Sequence, residues 1–163
     1  MLIASLKQHF PARLPEWFMA SVMATWGIYV ILHPGIFTAP ETRAMFSGMA
    51  ALVEGSGFPP AGLWGSLALT VGLLRAAALF INGAYARTPV VRLISSMISA
   101  IIWTGVAIGL AKSDAANTGV AVYPWLLLLD LASAYRASVD MAVAEHNRIT
   151  SGGTRRAANA GRN

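Results

Sequence analysis

Two ionisable residues sit within strongly apolar stretches of this sequence. Arg75 lies inside AGLWGSLALTVGLLRAAALFINGA (61–84), and Asp130 follows Tyr123-Pro124-Trp125 and four consecutive leucines. A charge at the centre of a membrane span costs about 2.5–3.5 kcal/mol by insertion scales, so each needs a reason to be there. One reason would be an ion path, a proton relay or a gate. The other is a buried ion pair that fixes which helices touch, and one Arg with one Asp favours this second reading. The two charges cancel and leave no chain of relay groups. Their depths agree as well: Arg75 lies about 18 Å beyond Leu63 and Asp130 about 15 Å beyond Val120 at helical rise. An arginine can offer a carboxylate two parallel donors, which suits a site without water.

No other residue pattern points to catalysis. His9, His33 and His146 are the histidines, and they fall in three separate segments outside the apolar runs. A shared metal site or histidine catalyst is therefore not expected. Cysteine is absent, which removes disulfides, Cys-based zinc sites and thiol chemistry. No nucleophile elbow, Walker loop, HExxH or Rossmann glycine pattern occurs. The sequence thus predicts no catalytic residues, no cofactor and no bound metal.

The elements that carry Arg75 and Asp130 read as membrane helices. Hydrophobic residues make up 56% of the 163, charged residues 12%, and mean hydropathy is +0.58. Soluble domains carry roughly a quarter charged residues. The expected fold is all-α: an integral membrane four-helix bundle with spans at about 17–33, 61–84, 90–111 and 119–140. The first, WFMASVMATWGIYVIL, has no charge and reads as a retained span, because Pro40 disfavours signal cleavage after Thr38-Ala39. Residues 1–16 suit a short surface helix or a frayed terminus. In the connection over 33–60, Thr38-Ala39-Pro40-Glu41 resembles a capping box. Met45, Phe46, Met49, Leu52 and Val53 follow at helical spacing, predicting a short amphipathic helix on the membrane surface. In the third span Gly105 and Gly109 form a GxxxG pair of the kind that lets helices approach closely. The fourth continues as a polar helix with Arg136/Asp140 and Glu145/Arg148 pairs. The domain runs over 1–148, and 149–163, without bulky apolar residues beyond Ile149, reads as a disordered basic tail.

Charge placement orients these spans. Lys7, Arg13, Arg87, Arg92, Arg136, Arg148, Arg155, Arg156 and Arg162 fall on one side, and Arg43 and Lys112 on the other. The positive-inside rule makes the first side cytoplasmic, with both termini there. Aromatic residues fit the same frame: Trp17 and Tyr85 near the inner interface, Trp64, Tyr123 and Trp125 near the outer one. Trp26 and Trp103 lie deeper and need packing partners. The net charge of +5 does not imply nucleic acid, because the basic residues flank apolar runs and form no aromatic-interleaved groove. The expected partners are the lipid bilayer and a second copy of the chain or another membrane protein.

The pattern Trp64-Gly65, Gly72 with Arg75, Asn82-Gly83, Arg92, Trp103, Thr118-Gly119, Tyr123-Pro124 and Tyr135-Arg136 resembles small four-span membrane proteins encoded by tailed bacteriophages, some grouped with holins. The resemblance covers about residues 17–140. It implies a phage-encoded protein of the bacterial inner membrane acting at the host envelope, including holin-like permeabilisation before lysis. Alternatives from other classes are a structural or adaptor subunit of a larger assembly and a small oligomeric channel or transporter.

Overall fold

The computed structural model describes residues 13–81, 88–113 and 118–160, with the side chains of Thr88 and 151–160 outside that description. Five helices follow one another: α1 (Leu14–Leu32), α2 (Pro40–Ala51), α3 (Pro60–Phe80), α4 (Thr88–Lys112) and α5 (Gly119–Ala160). A 3-10 turn, Pro34–Phe37, joins α1 to α2. No strand occurs among the described residues, so the fold is all-α. The first three helices each begin with a proline in the first turn, where a missing N–H costs nothing. The surface helix expected over 1–16 falls outside the described residues up to position 12, and so does Tyr85.

Among the described residues, α3 and α4 are the two helices long and apolar enough to cross a membrane. At 1.5 Å per residue they reach about 31 and 37 Å, against a hydrocarbon core of about 30 Å. The sequence led us to expect four such helices. The charge-free part of α1 is only Trp17 to Leu32, about 24 Å, and the apolar run of α5 is cut by Asp130 and then Arg136.

The four long helices alternate in direction. α1 and α3 are antiparallel and cross on small residues: a Cβ on Gly72 would come within 2.6 Å of the Ala24 backbone nitrogen, and one on Gly65 within 2.7 Å of Ile31. Only glycine allows that approach. α4 and α5 form the second antiparallel pair. The core between the pairs holds Met19, Met23, Ala68, Val71, Ile102 and Val106. Trp26 and Trp103 meet edge to face at 5.6 Å, and Trp103 lies 5.6 Å from the Tyr123 ring.

α2 forms where the sequence placed it, but its apolar face is turned into the bundle. Phe46, Met49 and Val53 are buried, whereas Leu52 is exposed. Gly109 and Gly105 pack against this helix: a Cβ on Gly109 would overlap the Met45 carbonyl, and one on Gly105 would touch Met49 at 3.4 Å. The GxxxG pair thus receives α2, not another long helix. Trp64 holds α2 from the other side, its Nε1 donating to the Met49 carbonyl at 2.8 Å.

α5 is 42 residues long, about 63 Å. It runs on to Ala160, whereas the sequence reading has a disordered tail from residue 149. The segment contains no proline, and its alanines and arginines are strong helix formers that offset Gly152-Gly153.

Candidate functional site: two buried charge clusters

The first cluster is centred on Asp130, which is fully buried on α5. Arg75 of α3, also fully buried, donates from Nη1 to Asp130 Oδ1. Ser99 of α4 donates its hydroxyl to Asp130 Oδ2. The carboxylate therefore ties three helices together. Arg75 Nε and Arg75 Nη2 have no hydrogen-bond partner, and the Trp103 indole faces the same Asp130 carboxylate. Ser96 Oγ, buried one turn before Ser99, is also unpartnered.

The second cluster closes one end of the bundle. Arg92, near the start of α4, offers Nε and Nη2 to the two carboxylate oxygens of Glu16 on α1, each at 2.7 Å. Its remaining Nη1 donates to Asp140 of α5 at 2.7 Å. Arg13 Nη2 reaches the same Asp140 oxygen at 3.2 Å. Glu16 and Arg92 are each 1% exposed, while the Asp140 side chain is 39% exposed. Two carboxylates face two guanidinium groups, so the set is neutral. Burial, then the like charge of Arg92, pushes the Arg13 guanidinium below its ordinary range, and Asp140 and Glu16 oppose that shift.

Arg75 and Asp130 are brought together. Gly105 and Gly109 face α2. Trp64 anchors α2, the Tyr123 ring lies tilted against Trp103, and Trp125 is exposed. Trp17 is half-buried. The sequence reading treated Arg92 as an interfacial basic residue and paired Asp140 with Arg136, so it missed the Glu16–Arg92–Asp140 cluster. The available signal was Glu16 immediately before a charge-free run and Arg92 just inside another.

His33 stacks on Tyr29 at 4.4 Å, and both His33 and His146 are exposed. Among the described residues no group of His, Asp and Glu could hold a metal ion. Each cluster pairs opposite charges and joins three helices, α3, α4 and α5 in the first and α1, α4 and α5 in the second.

The chain matches no known protein-family profile, no curated protein and no solved structure.

Proposed function

We propose that the chain is a four-span protein of a bacterial cytoplasmic membrane, with both ends on the cytoplasmic side, serving as a structural or adaptor subunit. The observation that carries this reading is an inverted distribution of polarity. Arg75, Asp130, Arg92 and Glu16 are buried at 0–1% exposure, while Ile101 is 64% exposed and Leu73, Leu74, Ile94, Ile108 and Leu128 are at least half exposed. Proteins in water hide such residues and expose charges; a lipid setting reverses the requirement. The buried charges extend the argument to α1 and α5, which contribute partners to the cations on α3 and α4.

The adaptor role rests on α5. Its first part packs in the bundle, and every described side chain from Ala142 to Thr150 is exposed. A rigid helix leaving a membrane bundle offers a surface to another membrane protein or to a second copy of the chain. The resemblance to phage proteins makes the host envelope the setting in which that contact would be made.

The holin-like reading is less well supported. A permeabilising assembly needs a polar face to line its opening, yet the exposed faces of α3 and α4 are predominantly apolar. Induced expression in a bacterial host, with membrane insertion confirmed by blotting, should leave the membrane potential intact. Abrupt depolarisation would overturn the adaptor reading and restore permeabilisation.

A further inference from the structure

The two buried arginines differ in one respect. On Arg92 the edge formed by Nε and Nη2 is filled by both oxygens of the Glu16 carboxylate, at 2.7 Å each. On Arg75 the same two nitrogens are buried without any partner. Its bond to Asp130 uses the third nitrogen, Nη1. A buried donor left unpaired costs about 1–3 kcal/mol, more for a charged group. Arg75 carries two, side by side, in the geometry that matches a planar oxyanion. Ser96 Oγ, one turn before Ser99 on α4, is a further buried group without a partner.

We infer that the Nε/Nη2 edge of Arg75 is a binding site for a small oxyanion of a weak acid, such as formate or nitrite, and that the anion enters together with a proton. The size limit follows from the packing: Arg75, Ser96, Ser99 and Asp130 have no exposed surface and Trp103 has 1%, so a ligand of a few atoms is all that local repacking can admit. The proton follows from charge. Arg75 and Asp130 already cancel, and a monoanion added alone would leave a net negative charge in a buried site. The site stays neutral if the accompanying proton binds Asp130 Oδ2. The carboxyl O–H then donates to Ser99 Oγ, reversing the bond that Ser99 now makes, and Arg75 pairs with the incoming anion. Among the described residues no other charged group faces Asp130 from the packed helices: α4 supplies the Ser99 hydroxyl and the Trp103 indole, and α1 is uncharged from Trp17 to Leu32.

The test is calorimetric titration of the full-length protein in detergent with sodium formate, in two buffers of different ionisation enthalpy. The wild type should bind formate with uptake of one proton per anion, and affinity should fall about tenfold per pH unit above neutrality. Methylammonium chloride at matched ionic strength should not bind. Asp130→Asn, already neutral, should bind formate without proton uptake and without that pH dependence. Arg75→Lys, which keeps the charge but loses the two-donor edge, should bind at least tenfold more weakly. No formate binding by the folded wild type, binding without proton uptake, or unchanged affinity in a folded Arg75→Lys variant would each overturn the inference. If Arg75→Lys does not fold, the proton count in wild type against Asp130→Asn decides it.

Discussion

Arg92 and Glu16, 76 positions apart in the chain, are joined by two parallel hydrogen bonds of 2.7 Å with both side chains buried. This clamp fixes the start of α1 against the start of α4, and Asp140 extends it to α5. Breaking a buried pair by removing one partner strands the other charge, at a cost of about 3–5 kcal/mol. Glu16→Leu and Arg92→Leu should each lower the unfolding temperature in detergent sharply. Arg136→Leu should leave it nearly unchanged, because Arg136 is exposed and Asp140 is bound to Arg92 and Arg13. Circular-dichroism melting of the three variants checks the ranking.

The Arg75–Asp130 pair should behave as a unit. Arg75→Leu or Asp130→Leu alone should destabilise by about 3–5 kcal/mol, and the double Leu variant should recover much of the loss through apolar packing. Additive losses in the double variant would show that the two residues act separately.

These clusters were not equally legible in the sequence. Arg75 and Asp130 stood out because each interrupts an apolar stretch with nothing polar to excuse it. Glu16, Arg92 and Asp140 lie at the ends of such stretches, where charges ordinarily meet headgroups and water. Their burial depends on how three distant helix segments converge, which no local pattern carries. The same holds for the α1–α3 crossing: Ala61, Gly65, Ala68 and Gly72 recur at helical spacing, but small residues are too common for spacing alone to name the partner helix. Gly105 and Gly109 announced a close approach without saying that α2 makes it.

The glycines separate by environment. Gly72→Leu should disrupt the α1–α3 crossing, since even a Cβ would come within 2.6–2.9 Å of the α1 backbone at Ala20 and Ala24. Gly109→Leu should detach α2. Gly48, inside α2, has open space at its Cβ position, so Gly48→Ala should stabilise the protein by about 0.5–1 kcal/mol through helix propensity. Melting temperatures of the three variants give the comparison.

Trp64 should govern the attachment of α2. Trp64→Phe keeps the ring but removes the Nε1 donor to the Met49 carbonyl, a loss of about 0.5–1.5 kcal/mol. Amide exchange over residues 40–51 should accelerate while α3 and α4 stay protected. Unchanged exchange in α2 would show that its apolar contacts hold it without the hydrogen bond.

Under the proposed topology four helices cross the membrane and both ends lie inside. The chain has no cysteine, so single cysteines can be placed without background at Ser5, Ser56, Thr88, Ser113 and Ser151. Intact cells are then treated with a thiol reagent that cannot cross the inner membrane. Labelling is expected at positions 56 and 113 alone, with 5, 88 and 151 labelled only after the cells are opened. Labelling of 88 or 151 in intact cells would contradict that topology.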